Sequence, residues 1–268
     1  MKWKIMKTTI PISMAIVIIK LVLIEFFHFQ GLVELSDIAL IVSAGVFLIG
    51  FMLAGTMADY KESERIPGEV ASALESIEET CVLLADRPNF PVKTVYQECY
   101  NMSHSIHDWL FKKITTEQMY QALNNFKELF SSLERAGANP SILSRVFNEL
   151  SSLRRVLTRT NVISRTGFLA TGYALLEVLL FVITGVMLIV KFKHLVAAIV
   201  VVFFITLVYI YMYKLIRDID DPFEHSEVES SGASEVALFP IQEYMERVEW
   251  RLREQEKLDN QQATSSVA

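Results

Sequence analysis

Cys99, His104 and His107 are the side chains in this 268-residue chain whose types and spacing come nearest to a reactive site. On a helix, histidines at i and i+3 are neighbours and can share a metal ion. A tetrahedral site needs a further pair of ligands or a tight Cys-x-x-Cys, and neither follows, so ordinary packing in a helix bundle is the stronger reading and no metal is expected. A second pairing is electrostatic. Lys20 and Glu177 each fall near the middle of an apolar stretch, where a lone charge is costly and an interhelical ion pair would neutralise both. The alternative is that each faces water or a subunit interface. Glu25 and His28 lie near the end of the first stretch, where an interfacial position needs no functional reason. The sequence has no Gly-rich phosphate loop, no Gly-x-Ser-x-Gly and no His-Glu-x-x-His. No catalytic residue is assigned, no cofactor is called for, and an enzyme is not expected.

The elements that must position any site are set by hydropathy. Four apolar stretches run from about Ile10 to Phe29, Ile38 to Ala58, Phe168 to Val190 and Leu195 to Leu215. A helix rises about 1.5 Å per residue, so about 20 apolar residues cross a hydrocarbon core of about 30 Å. Four such stretches in one chain, which is 52% hydrophobic, predict an integral membrane protein whose first partner is the lipid bilayer. The net charge of −6 matters less than where the charges sit. Lys2, Lys4 and Lys7 precede the first span, Arg154, Arg155, Arg159 and Arg165 the third, and Lys214 and Arg217 close the fourth. The turn between spans one and two carries Glu34 and Asp37 and no base. The positive-inside rule therefore predicts a multi-pass cell-membrane protein with both termini and residues 59–165 in the cytosol. Lys191 and Lys193 in the second outer turn are outnumbered. A cleaved signal peptide is disfavoured, because the first apolar run is long, holds Lys20 and Glu25, and precedes no small-x-small site.

Four regions follow: spans one and two in 1–58, a cytosolic helical domain in 59–165, spans three and four in 166–217, and an acidic tail in 218–268. In the middle region Val70, Ala73, Leu74, Ile77, Cys81 and Leu84 recur at helical spacing over Glu69–Ala85, with Pro67 suited to a first turn. The run Arg87–Pro91 breaks that helix. A second helix is predicted over about Val92–Ile114, and a third from a cap at Thr115 or Thr116 to about Ala136. A fourth, capped by Ser141, leads towards the third span. Cys81 and Cys99 fall in the cytosol, so no disulfide is expected. From Asp218 onward the tail has thirteen acidic residues against Arg247, Arg251, Arg253 and Lys257. Ser226–Ser234 reads as an extended linker; Ile241, Tyr244, Met245, Val248 and Leu252 mark one face of an amphipathic helix; Asn260–Ala268 reads as disordered. Nucleic acid is not an expected partner. The fold class is all-α.

Span two stands apart in composition. Ser43, Ala44, Gly45, Gly50, Ala54, Gly55 and Ala58 make it rich in small residues, with Phe47, Leu48 and Phe51 between them. Small residues permit close helix–helix packing in membranes. The sharper reading is a pore-lining helix in which Phe47 and Phe51, four apart and on one face, form apolar rings in an oligomer and gate by dewetting.

Phe47-Leu48-Ile49-Gly50-Phe51 resembles the Phe-Val-Leu-Gly-Phe stretch on the second span of bestrophins, whose two phenylalanines face the narrow neck of a pentameric anion channel. Asp220-Asp221-Pro222-Phe223, after span four, is similar to the Glu-Asp-Pro-Phe of prokaryotic bestrophins, and Ser234–Pro240 corresponds to the apolar-proline segment that follows it. The two-plus-two spans around a helical middle agree, and the label the chain resembles best is the bestrophin-like family of membrane proteins. The departures are specific. Asp59-Tyr60-Lys61-Glu62 falls where bestrophins have Arg-Trp-Trp-Glu, and only the glutamate matches. Ser43 stands where bestrophin necks have a third apolar ring. Asp218, Asp220, Asp221 and Glu224 fall where animal bestrophins bind calcium, although an N-cap or a subunit contact is the stronger reading for Asp220 and Asp221.

The resemblance implies a homo-oligomer, a pentamer by analogy, passing small inorganic ions through a pore lined by Ser43, Phe47, Gly50, Phe51 and Ala54. Anions such as chloride are favoured by that analogy alone, since span two carries no ring of Arg or Lys. The competing reading is a membrane-anchored scaffold or sensor that binds a cytosolic partner and has no open pore.

Overall fold

The computed structural model describes residues 3–29, 31–83, 90, 92–165, 170–220, 222–223 and 235–265. Its described residues fall into two compact units, one built on Met1–Lys61 with Thr166–Pro222, the other on Glu62–Arg165 with Val236–Ala268.

The first unit holds the four apolar helices: α1 (Lys4–Glu25), α2 (Leu35–Ser63), α8 (Ala170–Ile189) and α9 (Leu195–Asp220). All four are long and apolar enough to cross a membrane. Their shared core is built from Ile16, Val17, Ile38, Ile49, Met52, Ile183, Met187, Val202 and Tyr209. Two turns at one end are tied together by a two-residue parallel pair, β1 (Val33–Glu34) with β2 (Val190–Lys191), which the hydropathy pattern does not predict. Gly31 makes that junction possible. Its φ is +86°, and a Cβ there would sit 2.7 Å from the Lys191 backbone, so only glycine fits.

The second unit packs α3 (Ile66–Val82) against α7 (Pro140–Arg165) and α4 (Val92–Leu110), with α5 (Thr116–Asn125) and α6 (Glu128–Arg135) alongside. The tail helix α10 (Phe239–Ser265) lies on α3 and α4 through Ile241, Tyr244, Val248 and Leu252, all buried. Pro67 occupies the first turn of α3, and Val70, Ala73, Leu74, Ile77 and Cys81 form its buried face. Both cysteines are free thiols.

Four boundaries differ from the sequence reading. Helix α4 stops at Leu110 rather than Ile114, because Lys112 turns left-handed at φ 58°. Lys113 N–H then donates to Asp108 C=O at 2.8 Å and Lys112 N–H to Trp109 C=O at 3.0 Å, the paired bonds of a Schellman stop. The predicted third helix is two, since bonds to the carbonyl three residues back take over at Lys127, Leu129 and Phe130. Asn139 rather than Ser141 caps α7: its side-chain carbonyl accepts from Ile142 N–H at 2.9 Å, and Pro140 takes the first helical position. The tail helix runs on through Ser265, where disorder was expected from Asn260. Its Gln, Glu, Lys and Leu residues are good helix formers. At α5 the predicted cap is present as a capping box between Thr115 and Gln118. The Ser226–Ser234 linker, Leu84 and most of the Arg87–Pro91 break lie outside the described residues.

Candidate functional site: the exposed face of span two

Helix α2 has two faces with opposite uses. Gly45, Ile49, Met52 and Thr56 are buried. Ser43, Phe47, Gly50, Phe51 and Ala54 are exposed, with Phe47 at 77% and Phe51 at 72%. At about 100° per residue the two sets centre about 180° apart, so the candidate pore residues are the side of α2 that its own chain leaves uncovered. Of the seven small residues in this span, only Gly45 is buried within the chain. A Cβ on Gly45 would collide with the Tyr209 ring, whose hydroxyl donates to Val42 C=O at 2.5 Å. Gly50 meets nothing within 4 Å of where its Cβ would be, and Ser43, Ala44, Ala54, Gly55 and Ala58 are likewise exposed. Tyr209 did not stand out in the sequence. Its signal was Gly45, a residue too small for its neighbours.

The other polar positions in the spans take different partners from those expected. Lys20 and Glu177 do not pair. The buried Lys20 ammonium donates to Leu188 C=O and Val190 C=O, each at 2.7 Å, at the carboxyl end of α8. That end has unsatisfied carbonyls and a partial negative charge, which a cation complements. Glu177 is exposed and accepts from the Tyr213 hydroxyl at 2.8 Å.

After span four, Asp220 closes α9, Asp221 and Glu224 lie outside the described residues, and Pro222 and Phe223 form a buried turn. Phe223, 2% exposed, lines a pocket of the second unit with Trp109, Ile114, Thr160 and Arg165. Glu62, the one residue of the Asp59–Glu62 tetrad that matches the bestrophin pattern, receives both arms of the Arg159 guanidinium at 2.7 and 2.6 Å. That geometry is the strong, bidentate form of an ion pair.

Cys99, His104 and His107 are not brought together as ligands. Cys99 is fully buried, His104 Nδ1 lies 3.1 Å from Tyr100 C=O, and His107 Nδ1 lies 3.5 Å from Asp108. Among the described residues no group of three His, Cys, Asp or Glu side chains could hold a metal. Cys99 belongs instead to a buried polar cluster under α10, which the sequence did not signal. Glu78 accepts from the Tyr244 hydroxyl at 3.0 Å and from Arg251 at 2.5 Å. Burial pushes the Glu78 carboxyl above its usual range, against the opposing pull of Arg251 and Tyr244. Burial likewise pushes the Cys81 thiol up to about 12 and raises Cys99, so neither is a reactive thiolate. For Arg251 burial favours loss of the proton, but the Glu78 carboxylate outweighs it and raises the guanidinium.

No protein-family model matches the chain, and no curated protein is similar to it in sequence. Solved structures are similar. What the helices build is an all-α membrane protein with a helical unit inserted between two pairs of spans. A point variant of a bacterial bestrophin homologue from Klebsiella pneumoniae superposes with a TM-score of 0.75 at 14% identity, over 92% of this chain and 98% of that one. The same homologue, phased on zinc, gives 0.71 at 14% identity over 92% and 97%. A structure described only as a membrane protein gives 0.75 at 15% identity over 91% and 97%. The fold of this chain is bestrophin-like.

Proposed function

We propose that this chain assembles with copies of itself, as a pentamer by analogy with bestrophins, and conducts small inorganic ions passively through a pore lined by span two. Ser43, Phe47, Gly50, Phe51 and Ala54 line it, Phe47 and Phe51 form its narrow apolar rings, and chloride-like anions are the favoured cargo. The helical domain of residues 59–165 lies on the cytosolic side with both termini, and the chain has no catalytic role. The observation that carries this reading is the uncovered face of α2. Two large aromatic rings and most of the small residues of the span point away from the chain's own core, as a helix does when it faces further subunits and an axis.

Two measurements test it. The mass of the purified protein in mild detergent should be that of several subunits, and a monomer across detergents would remove the pore altogether. Liposomes holding the protein should then pass halide ions under a gradient, whereas an assembled oligomer with no flux in either direction would leave the scaffold reading in its place.

A further inference from the structure

Lys20 is 2% exposed and sits within a span, yet among the described residues no carboxylate pairs with it. Its two carbonyl partners use two of the three ammonium N–H groups and supply the partial charge of a helix end, not a full counter-charge. One ammonium N–H and part of the charge are left to attract an anion. The wall that Lys20 lines explains where one would sit. Lys20, His28, Lys191 and His194 line a concave pocket of about 390 Å³ with no acidic residue among its described lining. The pocket lies beside the β1–β2 junction, which fixes Lys191 by backbone pairing. Phe192 holds the Lys20 ammonium 5.8 Å from its ring centroid, and Ile24 and Leu195 supply an apolar wall.

We propose that this pocket is a binding site for a phosphate-class oxyanion, held by Lys20 from below and by Lys191 and His194 at the rim. The charge match suits an anion with several acceptor oxygens, since Lys20, Lys191 and His194 each bring N–H donors to the lining. The apolar wall beside the charges would suit the glycerol and acyl start of an anionic phospholipid, and the same cluster would take inorganic phosphate. Its lining comes from residues 20–29 and 190–198 and includes none of α2, so the site is independent of whether the pore conducts.

Thermal unfolding of the full-length protein in detergent tests it, with short-chain phosphatidylglycerol, phosphatidylcholine of the same chain length, or sodium phosphate added. The comparison is with the double variant Lys191→Gln, His194→Gln, whose side chains are exposed and leave the Lys20–carbonyl contacts in place. Phosphatidylglycerol should stabilise the native chain where phosphatidylcholine does not, and the double variant should bind it about tenfold or more weakly, as expected for loss of charge-assisted contacts. Stabilisation by phosphate with the same loss in the variant supports the site and names a free anion as its occupant. Stabilisation by neither anionic probe, or equal stabilisation of native chain and variant, overturns the proposal.

Discussion

Two helices of the span unit, α2 and α9, each leave one long face uncovered, and the two faces are made of different things. On α9 the exposed positions include Val196, Ile199, Val200, Phe204 and Val208, bulky throughout, with branched chains and a phenyl ring. On α2, Phe47 and Phe51 alternate with Ser43, Ala44, Gly50, Ala54 and Gly55. Hydrocarbon chains are satisfied by any apolar surface, and bulky side chains provide it without loss. Small residues on an outer face forfeit that contact unless another protein backbone approaches closely or water replaces it. Exposure alone therefore does not single out a functional face. Exposure together with small side chains is what supports the proposed pore assignment, and α2 has both.

The largest effect should come from removing the rings. Phe47→Ala with Phe51→Ala is expected to raise ion flux in liposomes severalfold with the oligomer intact, because each proposed ring would narrow the pore and repel water. The matched pair on α9, Val200→Ala with Phe204→Ala, should leave flux unchanged. Equal responses from the two pairs would dissolve the distinction between the faces. A smaller effect in the opposite sense is expected from Ser43→Ile, which adds an apolar ring one turn before Phe47 and should lower the flux. A variant that assembles and conducts as before would take Ser43 out of the lining.

Much of this contrast was legible in the sequence, because both faces are written in residue size and hydropathy. The four spans, the first-turn proline of α3, the Thr115 cap and the apolar face of α10 follow from periodicity and local chemistry. What escaped was decided by contacts far apart in the chain or by backbone geometry without a sequence mark. The sequence sets Lys20 against Glu177, the other charge near the middle of a span, but backbone carbonyls at the end of α8 take it instead. Carbonyls leave no trace in composition. The stop at Leu110 uses Lys112 in a left-handed conformation, where glycine would have announced it. The Glu78–Tyr244–Arg251 cluster joins residues more than 160 positions apart. The likeness in fold to the bacterial homologues survives at 14% identity because helix length and hydropathy, rather than particular side chains, specify it.

Chemical accessibility sharpens the comparison next. Single cysteines at Ser43 and at Val200, in a background lacking Cys81 and Cys99, present a thiol on each uncovered face. A small water-soluble, membrane-impermeant thiol reagent should modify the Ser43→Cys protein in liposomes and spare Val200→Cys, since only a hydrated thiolate reacts. A cysteine at Val33 in the same background fixes the sidedness. Labelled in intact cells, it places the turn outside; unlabelled there and reactive after lysis, it reverses the proposed topology.

The smallest effect compares the two sides of α2, where Gly45 on the covered side and Gly50 on the exposed side form an internal control. Gly45→Ala would drive a methyl group into the Tyr209 ring, and the Tyr209 hydroxyl is held on Val42 C=O. The ring has little freedom to retreat, so a cost of about 1–3 kcal/mol is expected, as for an overpacked core. Gly50→Ala meets no atom of its own chain. In a dissociated monomer it should be neutral or slightly stabilising, because alanine is the better helix former. In the oligomer its effect should appear in flux or assembly instead. Thermal unfolding of both variants, in a detergent that keeps subunits apart and in one that keeps them together, separates these outcomes. If Gly50→Ala destabilises the monomer as much as Gly45→Ala does, the two sides of α2 are not distinct, and the face assigned to the pore loses its structural basis.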